Sequence, residues 1–118
     1  MSSRVAQGRD AEAIAAEHLE AHGFRVLWRN VRIGALEVDL VAKHEDLVVI
    51  VEVRMRGPGA LSSPLASVGW KKQTRLLRAA RGLWRGRLKQ MPDVKRVRID
   101  VIAIDARGVE WIRGALTE

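Results

Sequence analysis

Two short apolar segments, residues 36–43 and 47–54, constrain the fold of this chain more than any other feature. Both are rich in Val, Leu and Ile, the residue types that strands favour. The polar link between them is short enough to close a hairpin, although it lacks an Asn-Gly or Asp-Gly turn signal. The two segments therefore predict a pair of adjacent antiparallel strands.

The segments on either side of this hairpin predict two helices and further strands. Residues 5–22 carry apolar side chains on one helical face, and Gly23 stands where the end of a helix favours a left-handed residue. The same patterns predict a strand at 24–31, a loop at 55–64, a helix at 70–89, a strand at 96–104 and a candidate terminal strand at 109–112. The order αβββαβ predicts an α/β fold whose mixed sheet is flanked by helices. No repeat or linker interrupts it, so we predict one domain over residues 1–118.

The charge of the chain favours a polyanionic partner. Lys and Arg together number 21 against 14 Asp and Glu, which gives a net charge of +7. Basic side chains bind phosphates with release of condensed counterions, so nucleic acid is one interpretation. The alternative is a basic composition that serves solubility alone.

Cysteine content and hydropathy exclude several classes of protein. The chain has no cysteine, which excludes disulfides and thiolate metal sites and fits a cytoplasmic location. The longest apolar run, residues 47–51, is too short to cross a bilayer, so we expect a soluble protein without a membrane partner.

Acidic residues lie among the apolar residues of the predicted hairpin. Glu37 and Asp39 share one face of their strand, and Glu52 and Arg54 share a face of the next. If the two faces coincide, Glu37 lies opposite Glu52, and Asp39 lies diagonal to it. Carboxylates this close repel one another unless a cation or a raised pKa relieves them, and Mg²⁺ accepts such ligands. Arg54 and Arg56 would then lie where a phosphate binds. The alternative is a set of solvated strand residues.

The second predicted helix has a basic face. Its cationic residues fall within about a quarter of the circumference, and no acidic residue interrupts them: Lys71, Arg75, Arg78, Arg85 and Lys89. We interpret this face as a phosphate-binding surface, the alternative being an ordinary solvated face. The opposite side, predicted to pack on the sheet, contains Leu76, Ala80, Leu83 and Trp84.

Two other features have a structural interpretation by default. Tryptophans are usually core or edge residues, and only Trp70, beside the loop and Lys71, is a candidate for base stacking. His18 and His22 are spaced to face one another on the first helix, but no third metal ligand accompanies them. Histidines near the end of a helix are also favoured by its dipole, so we interpret both as structural.

Asp39 followed by Glu52-Val53-Arg54 on the next strand, within the order αβββαβ, resembles the PD-(D/E)XK nuclease signature. The chain more closely resembles the YraN-like family of small bacterial proteins, which has a predicted restriction-endonuclease-like core. The matching positions span nearly the whole chain: Gly8 with Glu12, Gly23-Phe24, Asn30, Glu37-Val38-Asp39-Leu40, Val51-Glu52-Val53-Arg54-Met55-Arg56, Lys72, Arg98-Ile99-Asp100-Val101 and Glu110-Trp111-Ile112.

The resemblance implies a metal site and a reaction. Asp39 and Glu52 would hold Mg²⁺ or Mn²⁺ with the backbone carbonyl of Val53, and Glu12 would act as an outer carboxylate. The implied activity is phosphodiester hydrolysis on DNA, including branched or structured DNA.

The resemblance also implies roles for cationic residues. The wider superfamily has Lys where this chain has Arg54, and Arg can orient and stabilise but cannot act as a general base. Lys72 is a candidate for a migrated ammonium group, the alternative being a surface lysine that contacts phosphate.

Three functional hypotheses follow from the sequence. The first is a Mg²⁺-dependent endonuclease, and the second is a non-catalytic nucleic-acid-binding protein that retains the fold. The third is an interaction module for an acidic protein. A homodimer would suit symmetric cleavage of two strands, but the pattern shows no clear dimer surface, so the oligomeric state stays open.

Overall fold

The computed structural model describes residues 8–57 and 66–116. The chain forms a helix α1 (Gly8–Ala21), three strands β1 (Arg25–Ile33), β2 (Leu36–His44) and β3 (Leu47–Met55), a helix α2 (Trp70–Gly86), a single 3-10 turn (Leu88–Gln90), and two strands β4 (Arg96–Asp105) and β5 (Gly108–Leu116). The predicted α/β class and the αβββαβ order with a terminal strand are confirmed.

The five strands form one mixed sheet in the order β1-β2-β3-β4-β5. The first three strands form an antiparallel meander, and β5 is antiparallel to β4. The central pair β3 and β4 is parallel, and this pairing needs a long crossover, part of which α2 supplies. The sheet therefore has β3 at its centre.

Two separate cores lie on the two faces of the sheet. One forms beneath α2 and includes Leu76 and Leu83, and the other forms beneath α1 and includes Ala15 and Leu19. Residues 47–52 of β3 are all buried, because this strand is covered on both faces. A strand covered on both faces has a nearly continuous apolar sequence, which explains the apolar segment that begins at Leu47.

The structure corrects two details of the second predicted helix. Its α-helical part ends at Gly86, and Lys89 lies in the 3-10 turn that follows. The side chains that α2 buries are those of Leu76, Ala79 and Leu83. Trp84 was predicted to pack on the sheet, but it remains 36 % exposed, because it lies one helical step from Leu83 at the border of the apolar face.

Two predicted segments fall partly outside the described residues. They are the start of the first helix, before residue 8, and most of the loop predicted at 55–64. The predicted end of the first helix is confirmed at Gly23, which adopts a φ of 89°. None of the helices in the described ranges is long and apolar enough to span a membrane.

The buried carboxylate of Asp100 links β5 to β4 at a shift in their register, which lies between Ile99 and Val101. Asp100 is fully buried and accepts two parallel hydrogen bonds of 2.8 Å from the guanidinium of Arg98. It also accepts the indole N–H of Trp111 at 2.8 Å and the backbone N–H of Gly114 at 2.9 Å. Both carboxylate oxygens are thus satisfied by β4 and β5 together.

The histidines of α1 contribute to an aromatic cluster near the end of that helix. The ring centroids of His18 and His22 lie 5.5 and 5.3 Å from the ring of Trp111, and both contacts are edge-on. The Nδ1 of His22 is 2.8 Å from the backbone oxygen of His18. These contacts are in keeping with the structural interpretation of the two histidines.

The pH dependence of stability is expected to report on His18. Burial, with the charges of His22 and Arg113, lowers the pKa of His18 below its ordinary value. The unfolded chain therefore takes up a proton at His18 more readily than the folded protein does. The contribution of neutral His18 to stability is present above the unfolded pKa and is lost as the pH falls towards the lower folded pKa. We expect His18→Gln to show a smaller loss of unfolding free energy between neutral and mildly acidic pH, measured by urea titration. Parallel pH curves for the variant and the wild type would contradict this assignment.

A candidate metal centre at the ends of β2 and β3

The regular alternation of side chains along β2 breaks at Asp39. Val38 packs in the core beneath α2, whereas Leu40, two positions on, packs in the core beneath α1. The facing strand β1 is irregular at the same level. Asn30 has a φ of 52°, and it lies between two paired positions, Arg29 with Leu40 and Val31 with Val38. The carboxylate of Asp39 accepts a hydrogen bond of 2.8 Å from the backbone N–H of Val53. This bond ties Asp39 to β3 beyond the last paired residues of the two strands, Leu40 and Val51.

Glu52 of β3 is the second carboxylate, and it is only 2 % exposed. Its Oε2 lies 3.2 Å from the ammonium of Lys72 in α2 and 3.6 Å from the guanidinium of Arg54. Its Oε1 is buried and has no hydrogen-bond partner, alone among the buried side-chain polar atoms of the described residues. A buried charged oxygen without a partner is costly, so its presence calls for an explanation.

The electrostatic environment penalises the charge on Glu52. Burial raises the pKa of Glu52, and the negative charge of Asp39 raises it further, while Lys72 and Arg54 oppose both effects. The two carboxylates are therefore close enough to repel one another across the ends of β2 and β3. A cation bound between them would relieve this repulsion.

Glu12 of α1 is influenced by the charge of Asp39. Burial raises the pKa of Glu12, as do the charges of Asp39 and Glu37, while a side-chain hydrogen bond with Asn30 lowers it. The charge of Asp39 therefore acts on both Glu12 and Glu52. Asn30 was given no role at this site by sequence reasoning, and its positive φ was not visible in the pattern.

The register of the hairpin differs from the predicted one. Leu40 pairs with Val51, so the next position places Asp39, and not Glu37, in line with Glu52. Glu37 pairs instead with Arg32 on β1 and is exposed. The prediction that Glu37 lies opposite Glu52 was wrong, because the link between the strands sets a register that the sequence alone did not specify.

Hydrogen bonds at the start of α2, and in the residues just before it, position the cationic part of the site. Arg54 donates a hydrogen bond of 2.9 Å to the backbone oxygen of Ser67, just before that helix. Gln73 donates one of 2.7 Å to the backbone oxygen of Val68. Sequence reasoning missed Ser67 and Gln73, since both contacts are tertiary and follow no spacing rule.

Arg56 directly follows the last residue of β3. Its backbone N–H donates to the backbone oxygen of Ile104 at 2.9 Å, beyond the end of β3. It borders a small depression at the β4–β5 turn with Asp105 and Arg107. The structure therefore places it beside the end of β4.

The donor set suits a hard divalent cation that keeps part of its water shell. In the two described ranges, no group of three acidic or histidine side chains is arranged to hold a metal ion by itself. Asp39 and Glu52 offer carboxylate oxygens, including the partnerless Oε1. Mg²⁺ is commonly bound by one or two carboxylates with water and phosphate oxygens, so these residues fit it.

The predicted basic face of α2 is exposed to solvent. The exposed cations of the helix and the turn after it include those of the predicted phosphate-binding surface: Lys71, Arg75, Arg78, Arg85 and Lys89. Lys72 is only partly buried and points to Glu52. Trp70, the candidate for base stacking, is 73 % exposed, with the Lys71 ammonium 5.9 Å from its ring centroid.

The fold and these strand ends define an α/β protein with acidic and basic residues gathered at one end of a mixed sheet. The chain belongs to the Uncharacterised protein family UPF0102, whose family model matches residues 11–104. This family is the YraN family, so the predicted family is confirmed. A UPF0102 protein of Stutzerimonas stutzeri is 41 % identical over 98 % of this chain and 98 % of its own length. One of Nitrosomonas europaea is 37 % identical over 100 % and 99 %.

Two solved structures are similar to the chain at low sequence identity. A repair endonuclease from Pyrococcus abyssi has a TM-score of 0.48 at 17 % identity, and the match covers 86 % of this chain. Pyrococcus furiosus SfsA, solved with Ca²⁺, has a TM-score of 0.45 at 15 % identity and a coverage of 94 %. The chain spans 42 % of the first protein's length and 63 % of the second's. At these values the likeness says nothing about activity.

Proposed function

We propose that this chain is a divalent-metal-dependent endonuclease of the PD-(D/E)XK type that acts on DNA. The observation that carries the proposal is Glu52, a carboxylate that is 2 % exposed and has one oxygen without a partner beside Asp39. Such a group costs stability, and ligation of a cation explains why the fold retains it.

Asp39, Glu52 and the backbone carbonyl of Val53 would hold Mg²⁺ or Mn²⁺, with Glu12 as an outer carboxylate. When bound, the metal would lower the pKa of a water molecule and stabilise the charge that develops on the phosphate. The hydrogen bond from the N–H of Val53 fixes the orientation of Asp39 at this position. The hydrogen bond from Asn30 would do the same for Glu12.

Lys72 and Arg54 would act on the phosphate. Both reach the Oε2 of Glu52, and their side chains are 35 % and 34 % exposed, so each can also donate to a bound anion. Arg54 is held by Ser67 and stays charged, which suits it to stabilise charge rather than to move a proton. Lys72 would occupy the place of the ammonium group that Arg54 does not supply.

The endonuclease is tested by incubating the purified chain with linear, nicked and four-way DNA. We expect strand cleavage with Mg²⁺ or Mn²⁺ and none with EDTA, seen as new fragments on denaturing gels. Cleavage of the four-way substrate alone would restrict the activity to branched DNA.

A second candidate is a nucleic-acid-binding protein without cleavage. The observation that favours it is the pair of cations on the Oε2 of Glu52, which offsets part of the negative charge that a metal would need. Binding of DNA that persists with every metal tested, without any cleavage, would select this candidate over the endonuclease.

The basic face of α2 is expected to account for the salt dependence of DNA binding. Arg75→Ala should reduce the slope of log K against log salt by about 1, the value for one lost phosphate contact. The charge-matched control is Arg107→Ala on the β4–β5 turn, whose side chain is 90 % exposed and should leave the slope unchanged. Binding constants measured by fluorescence anisotropy over a range of salt supply both slopes. Equal slopes for the two variants would place the phosphate contacts elsewhere.

A further inference from the structure

A groove of about 860 Å³ lies between α2 and the strands β4 and β5. It is separate from the carboxylates: Lys72 contacts Glu52 in the first turn of α2, whereas the groove adjoins the last turns. From Lys72 to Trp84 the helix advances about 18 Å at 1.5 Å per residue. The groove has the size of sites that bind small molecules.

Aliphatic side chains make up the apolar part of this groove. They come from the helix and from the two strands: Leu77, Ala80, Val97, Ile99 and Leu116. The indole of Trp84 joins them and remains 36 % exposed, whereas most large apolar side chains of the described residues are buried. An aromatic ring above an aliphatic surface suits a flat, apolar group.

Cations line the same groove. Arg85 of α2 and Lys95, just before β4, are both exposed. Among the described residues, no acidic side chain lines the groove. A complementary occupant offers a flat apolar group to Trp84 and negative charge to Arg85 and Lys95.

We propose that the groove between α2 and β4–β5 binds unpaired nucleotides, with a base against Trp84 and the phosphates on Arg85 and Lys95. This inference rests on the proposed function, because it names a single-stranded segment as part of the substrate. The bases of a duplex are stacked on one another and cannot offer their faces to the groove, whereas every unpaired base can. The exposed cations Arg75 and Arg78 lie along α2 between Lys72 and Trp84, so one strand could follow the helix to both sites.

The test compares binding of a fluorescein-labelled thymidine oligonucleotide with binding of a blunt duplex of the same length. The assay contains EDTA, so the result does not depend on cleavage. We expect Trp84→Ala to weaken single-strand binding roughly tenfold, the effect of losing one base–aromatic contact. The same change should alter duplex binding much less, and Trp84→Phe should retain most of the affinity because it keeps an aromatic ring.

Trp70→Ala tests the alternative position for base stacking, since Trp70 is the more exposed indole and lies outside the groove. An unchanged single-strand affinity in Trp84→Ala, or an equal loss on the duplex, would overturn the proposal. A loss with Trp70→Ala alone would also overturn it and move stacking to the start of α2. Thermal unfolding of each variant checks that the fold is retained.

Two other occupants are distinguishable outcomes that would each overturn the proposal. An acidic, leucine-containing peptide that binds through Trp84 when the oligonucleotide does not would assign the groove to a protein partner. A dimer that is lost in Trp84→Ala, seen by analytical ultracentrifugation, would assign it to a second copy of the chain. Failure of the proposed endonuclease activity is distinguishable from failure of the groove proposal. Cleavage is tested with Asp39→Asn in the presence of metal, whereas the groove is tested by binding without metal.

Discussion

Glu52→Gln is expected to abolish metal-dependent DNA cleavage, lowering the rate by about a thousandfold. Metal stabilisation of the transition state amounts to several kcal/mol, and each tenfold in rate corresponds to about 1.4 kcal/mol. Gln keeps the shape of the side chain but removes the negative charge that would hold the cation. Asp39→Asn should have the same effect, since its carboxylate lies beside Glu52. Single-turnover cleavage of labelled DNA with Mg²⁺ measures both losses.

Thermal unfolding distinguishes a loss of cleavage caused by the missing charge from one caused by unfolding of the variant. The raised pKa of Glu52 means that the folded protein disfavours its charged form. In EDTA, Glu52→Gln should therefore unfold at the same temperature as the wild type or higher. Added Mg²⁺ should raise the unfolding midpoint of the wild type but not that of Glu52→Gln, because a ligand stabilises only the state that binds it. Glu20→Gln, on the exposed face of α1, is the control that should keep cleavage and the Mg²⁺ response. A fully active Glu52→Gln would refute the assignment.

Asp100→Asn is expected to lower the free energy of unfolding by about 3 kcal/mol, the low end for a broken buried ion pair. The carboxylate is fully buried, and the change would leave donors of Arg98, Trp111 and Gly114 without an adequate acceptor. The low end applies because the side chain of Arg98 is 29 % exposed and can be partly rehydrated. Urea unfolding followed by circular dichroism measures the loss.

The matched control for Asp100 is Asp46→Asn. Asp46 also forms an ion pair with an arginine of β4, at 2.7 Å from Arg96, but both side chains are largely exposed. Exposed pairs are screened by water, so this change should leave stability nearly unaltered. Equal losses from the two substitutions would mean that Asp100 does not fasten β5 to β4 in the way described.

The strands and helices were predictable because partly buried elements have a periodic pattern of apolar residues in the sequence. The β2–β3 hairpin followed from Val, Leu and Ile content, and the end of α1 followed from Gly23. The break in alternation at Asp39 left no such pattern, and neither did the positive φ of Asn30 at the same level of the neighbouring strand. The exposure of Trp84 was missed because helical periodicity does not resolve the border of an apolar face.

The candidate site was predictable in residue type but not in geometry. The sequence pointed to Asp39, Glu52 and Arg54, yet it placed Glu37 in the wrong register. Lys72 was a candidate, and its contact with Glu52 appears only when α2 is packed on the sheet. The partnerless oxygen of Glu52 is a property of the folded interior, and no pattern of residues could have revealed it.

Anomalous scattering from a crystal grown with Mn²⁺ tests the proposed metal centre most directly. The expected result is a single strong anomalous peak within bonding distance of a carboxylate oxygen of Asp39 and of Oε1 of Glu52. The same crystal of Glu52→Gln should lack the peak. If wild-type crystals soaked to saturation show no peak there, or if Asp39 and Glu52 bind no common ion, the proposed hydrolase activity loses its physical basis.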